Sequence, residues 1–99
     1  MEKKYYVMMI QKGKSFNKVT KAVIERHVGH LKQLDENGKI VLCGAFQGYS
    51  GVAGMVILKT GSYEEAEDLC KLEPLVAEGY AKYTLAVLHV ADKENDYLL

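Results

Sequence analysis

Hydrophobic and polar positions along this chain follow two different rhythms. Residues 4–11, KYYVMMIQ, form an apolar and aromatic run of strand length, with Tyr5, Val7 and Met9 on one side and Tyr6, Met8 and Ile10 on the other. Residues 17–37 change to a helical period, and Val19, Val23, His27, Leu31 and Leu34 share a face. Asn17 is the expected N-cap of that helix and Asn37-Gly38 its expected stop. Residues 39–46, KIVLCGAF, read as a second strand in which Ile40 and Leu42 oppose Val41 and Cys43. Gly48-Tyr49-Ser50-Gly51 reads as a hairpin loop, and residues 52–60 as a third strand. Ser62 and Glu65 form an S-x-x-E capping box that opens a helix packing Ala66, Leu69 and Cys70. Glu73-Pro74 ends this helix and starts a short second one, with Pro74 at its first position. Residues 80–91, YAKYTLAVLHVA, read as a last long strand. The domain thus spans 1–92, and residues 93–99 are a polar tail with an apolar end.

The element order is βαββαβ. It predicts an α+β, ferredoxin-like fold: an antiparallel four-stranded sheet with the helices on one face. An antiparallel sheet with one wet face alternates apolar with polar residues, but these strands are apolar on both sides. The helices cover one face. The other presents an apolar patch that calls for a partner, and a second copy of the chain meets it most simply. A homodimer through the open sheet face, or a higher oligomer, is expected.

Composition narrows the function classes. Ninety-nine residues make one domain, and 13 basic against 13 acidic side chains leave no net charge. That balance provides no footprint for a phosphate backbone, so nucleic acid is not an expected partner. No apolar run approaches the ~20 residues of a membrane span, and the N-terminus lacks a signal-peptide pattern. Cys43 and Cys70 are too few for a disulfide scaffold, which points to a cytoplasmic location.

Chemistry centres on one position. At ~100° per residue, His27 falls in the middle of the apolar arc of the first helix. Two readings of it stand: a core histidine satisfied by a hydrogen bond, or an imidazole aimed into a cavity as general acid or base. Glu73 precedes the only proline, at a helix N-terminus that favours a carboxylate. On its own it reads as a surface residue. Paired with His27 it would orient the imidazole and raise its basicity. His27 and His30 have i, i+3 spacing, but no carboxylate or cysteine completes a metal set and His89 is remote, so no metal is expected. His89 reads as structural, and both cysteines as buried spectators. The Gly48–Gly51 loop offers backbone N–H groups, Tyr49 and the Ser50 hydroxyl to a small ligand, or is a plain turn.

Four stretches carry a resemblance across nearly the whole chain: His27-Val-Gly-His-Leu-Lys-Gln-Leu, Asn37-Gly38-Lys-Ile-Val-Leu-Cys-Gly44, Ser62-Tyr-Glu-Glu-Ala66 and Glu73-Pro74-Leu-Val-Ala-Glu-Gly79. Their order and spacing resemble the YCII-related family of dimeric α/β-barrel proteins. The resemblance implies that the histidine opening the H-x-x-x-L segment pairs with the acid of an Asp-Pro motif beside a small pocket. These roles fall on His27 and on position 73, where this chain has glutamate, one methylene longer. A glycine-proline that often ends the second strand is here Gly44-Ala45-Phe46, which makes Phe46 part of the expected pocket wall beside Tyr49 and Ser50. One branch of the family resembles chloromuconolactone dehalogenases; likeness to muconolactone isomerases and haem-handling monooxygenases is an analogy of fold. The resulting expectation is a small-molecule enzyme using His–carboxylate acid/base chemistry without a cofactor: lactone-like elimination, isomerisation or hydrolysis. The alternatives are a non-catalytic module binding a small organic acid and an oligomeric scaffold without a pocket.

Overall fold

The computed structural model describes residues 3–98. The strands are β1 (Lys4–Lys12), β2 (Ile40–Ala45), β3 (Val52–Leu58) and β4 (Ala81–His89), and the α-helices are α1 (Lys21–Glu36), α2 (Tyr63–Leu72) and α3 (Pro74–Ala77). They form one four-stranded sheet in the order β2-β3-β1-β4, with every pair antiparallel. This is the α+β ferredoxin-like arrangement.

Local chemistry sets the helix ends. Thr20 caps α1, its hydroxyl accepting from the Val23 N–H at 3.3 Å. Asn17 is not the cap. It lies in a separate 3₁₀ turn over Phe16–Lys18, and extended Val19 intervenes before the α-helix begins. Gly38, at φ 71°, ends α1 in a Schellman motif: Lys39 N–H donates to Leu34 and Gly38 N–H to Asp35. The Ser62 hydroxyl accepts from Glu65 N–H at 3.1 Å, while the Glu65 carboxylate reaches back one residue further than expected, to Gly61 N–H at 2.8 Å.

The sheet pairs Tyr6 with Leu58 and Met8 with Val56, and these four are buried against Val23 and Leu34 of α1, Ala66 and Cys70 of α2, and Leu75 of α3. The opposite face carries Tyr5, Val7, Met9, Met55 and Ile57, all half-buried, with Leu42 and Leu88 exposed. That face is apolar, as its alternation predicts.

In β2 the expected alternation breaks. A register shift between Ile40 and Leu42 places Cys43 opposite Val56 and Leu42 opposite Ile57. Ile40 and Cys43 therefore lie on the helix side, and Leu42 turns to the open face. A period-2 reading cannot anticipate a bulge, because the extra residue flips every side chain beyond it.

Within the polar tail, residues 93–95 take up regular structure. They form a 3₁₀ turn capped reciprocally by Asp92 and Asn95, and the Asn95 amide donates to the Val90 carbonyl at 2.7 Å. Tyr97 and Leu98 beyond it are exposed, and Leu99 lies outside the described residues.

Candidate functional site

α1 touches the sheet near its two ends, through buried Val23 and Leu34, and its middle lies over a cleft. The cleft is a cavity of about 290 Å³. Its roof is Ile24, His27 and Leu31 of α1, with Phe16 and Leu75 at its sides. Its floor is Cys43, Gly44 and Ala45 of β2 and the facing segment Ala53–Val56 of β3, with Ile10 of β1. Position 54 admits only glycine: a Cβ there would lie 2.4 Å from the Gly44 carbonyl oxygen.

His27 and Glu73 meet although they are 46 residues apart in the chain. Glu73 sits where α2 gives way to α3, fixed there by Pro74 at the first helical position. Its carboxylate is a bidentate acceptor. One oxygen takes the Val76 N–H at 3.3 Å and so caps α3, and the other takes the Nδ1–H of His27. A carboxylate only accepts, so the imidazole proton sits on Nδ1 and Nε2 is the nitrogen available to a ligand. Glu73 is the one charged residue buried among the described residues, at 1% exposure, while the His27 side chain keeps 18%. The apolar arc of α1 is interrupted at its centre because that position faces a cavity rather than packed side chains.

The remaining candidates lie elsewhere. His30 lies one turn on; burial lowers its pKa below the ordinary histidine value, against the pull of Glu73 and of the nearby Leu69 backbone. It does not line the cavity, and neither does His89, exposed at the end of β4 opposite Lys4. Phe46, Tyr49 and Ser50 are also absent from the lining. They sit at the hairpin beyond the strand ends, where the Phe46 and Tyr49 rings pack on each other at 5.3 Å. Cys70 is fully buried, and burial pushes its thiol up to about 12. Cys43 is not a buried spectator. It is exposed and lines the cavity, because the β2 bulge turns it under the lifted middle of α1. A glycine inside the third strand was the available sign that something approaches the sheet at that point. No group of three or more His, Cys, Asp or Glu placed to hold a metal ion occurs among the described residues.

Fold and site together define a small ferredoxin-like α+β protein with an apolar cavity between its first helix and its sheet, into which one carboxylate-backed histidine is set. The chain belongs to the YCII-related family, whose domain profile matches residues 4–89. Comparison with curated protein sequences gave no match. Among solved structures it is similar to a 5-chloro-2-hydroxyhydroquinone dehydrochlorinase of Burkholderia phenoliruptrix AC1100, determined in complex with 2,5-dihydroxybenzoquinone. The identity is 17%, the TM-score 0.65, and the alignment covers 93% of this chain and 99% of the other. At that identity the likeness concerns the fold. No helix among the described residues is long and apolar enough to cross a membrane.

Proposed function

We propose that the protein is an enzyme acting on a small organic molecule, with His27 as general acid/base and Glu73 as the carboxylate that orients it. The observation that carries this reading is the buried Glu73 carboxylate on His27 Nδ1, at the wall of a ligand-sized cavity. A satisfied core histidine would be packed on all sides; this one borders empty space. The dehydrochlorinase of the same fold makes an elimination plausible for the scaffold.

In such a step Nε2 removes a proton from a carbon next to a carbonyl or enol. The C–H electron pair becomes the new double bond, and a leaving group on the adjacent carbon departs with its own pair. The imidazolium that forms is stabilised by Glu73, which keeps its charge throughout. Where no group leaves, the pair is held instead as an enolate and the proton returns at another carbon, giving isomerisation; where one departs, the proton passes to solvent, giving net elimination. No step calls on a cofactor. Glutamate in place of the family's aspartate holds the imidazole because its longer arm spans from the α3 cap to α1.

The same proposal includes a homodimer through the face bearing Met9, Met55 and Ile57, supported by its apolar character, and a cytoplasmic location, supported by two free thiols. A screen of small lactones, enols and halogenated phenols, run with wild type, His27→Ala and Glu73→Gln, tests the activity. The expected result is turnover lost in the first variant and reduced on the order of a hundredfold in the second. Ligand binding without turnover by wild type would instead make the protein a non-catalytic binding module, and unchanged turnover in both variants would remove His27 and Glu73 from the chemistry.

A further inference from the structure

The lining of the cavity also bears on the charge and shape of what enters it, given the reading of the cavity as a small-molecule site. Its polar side chains are His27 and Cys43; the others are aliphatic, aromatic or glycine, with the thioether of Met55. Glu73 behind His27 is buried, and the lining brings no permanent positive charge to the cavity. An entering carboxylate would give up its hydration to apolar surroundings with no basic side chain to pair with.

Three basic side chains near these elements are engaged elsewhere. Arg26, beside His27 in sequence, makes a two-pronged ion pair with Glu78 at 2.6 and 2.9 Å. Lys39 pairs with Glu65 at 2.9 Å. The Lys12 ammonium lies over the Phe16 ring, 5.6 Å from its centroid, and Lys12 does not itself line the cavity. Among the described residues no lysine or arginine lines it.

Shape adds a second constraint. Across from His27 the floor is built from Gly44, Ala45, Ala53 and Gly54, so backbone rather than side chain forms much of that surface. The volume lies near the low end of the ~300–1,000 Å³ usual for ligand sites. A flat floor, apolar walls and one acid/base nitrogen suit a single ring.

We infer that the site takes uncharged, planar cyclic compounds of phenol, enol or cyclic-ketone type, and discriminates against carboxylates. A matched pair of probes tests the point: 4-hydroxybenzamide and 4-hydroxybenzoate, nearly isosteric and differing in charge. Each is titrated into the full-length protein and followed by amide NMR shifts of residues lining the cavity.

The amide should bind more tightly, on the order of tenfold or more. Ile24→Lys, placing an ammonium at a half-open lining position, should reverse the order while the spectrum stays folded. Equal or tighter binding of the benzoate to wild type overturns the inference and leaves the small-molecule reading standing. If that binding also depends on Lys12, the anion is held at Phe16 and the charge argument is wrong there. Failure of both probes to shift any lining residue at millimolar concentration would refute the small-molecule reading, and this inference with it.

Discussion

Replacing Glu73 with alanine removes two interactions at once. The first is the cap on α3, where the carboxylate accepts the Val76 N–H at 3.3 Å; losing such a cap costs about 1 kcal/mol. The second is the charge-assisted hydrogen bond from His27, worth about 1.5–3 kcal/mol, with the imidazole N–H left facing apolar neighbours. Against these stands the relief of desolvating a carboxylate that is 1% exposed, which returns part of the loss. The net expectation is about 3 kcal/mol of destabilisation, or roughly 12–24 °C in Tm for a domain of this size. Glu73→Gln keeps one acceptor oxygen and sets an amide NH2 against the other donor, so it gives up the charge and one contact and should cost about 2 kcal/mol. Urea unfolding followed by circular dichroism suits a chain without tryptophan. The double-mutant cycle with His27→Ala should give a coupling of about 2 kcal/mol. Additive effects, with coupling within about 0.5 kcal/mol of zero, would mean that the two side chains do not interact and would refute the reasoning.

Three further outcomes follow from the same geometry. Burial depresses the His30 pKa below its ordinary 6.5, so its neutral form supports the fold above that value and the support is lost as pH falls through the depressed one. Stability should therefore drop on acidification below 6.5, and His30→Gln should flatten that part of the profile; an unchanged slope contradicts the placement of His30. A thiol reagent should titrate exposed Cys43 in the native protein and reach Cys70, raised to about 12, only after denaturation; native labelling of Cys70 would contradict its burial. Gly54→Ala would force a Cβ to within 2.4 Å of the Gly44 oxygen, prising β2 from β3 at a cost of about 1–3 kcal/mol; a neutral effect in urea would show that the floor is not as tight as described.

Much of this fold is legible in the chain because its local signals agree. Pro74 stands at the first position of a helix, Asn37-Gly38 closes α1, Ser62 opens α2, and the alternation of β1, β3 and β4 assigns each residue to the face it occupies. The misreadings have a common origin in features without a periodic signature. The bulge at Val41 inverts the remainder of β2, and so Cys43 is found in the cavity rather than in the core. Thr20 outcompetes Asn17 as the cap because a 3₁₀ turn fits between them, and both residue types cap comparably well. The catalytic pair proposed for the site was visible as a histidine misplaced in an apolar arc and an acid at a helix start. The walls around it were not, since Ile24, Leu31 and Leu75 look like any core residues until α1 is seen to stand off the sheet.

The proposed chemistry requires His27 to offer a free Nε2 to the cavity while Glu73 holds its Nδ1–H. Nitrogen-15 NMR of the labelled imidazole reads both atoms directly. The expected spectrum has a protonated Nδ1, an unprotonated Nε2 whose resonance moves when 4-hydroxybenzamide fills the cavity, and no Nδ1–H signature in Glu73→Ala. A proton on Nε2 with Nδ1 bare, or an Nε2 resonance indifferent to ligand, would contradict it.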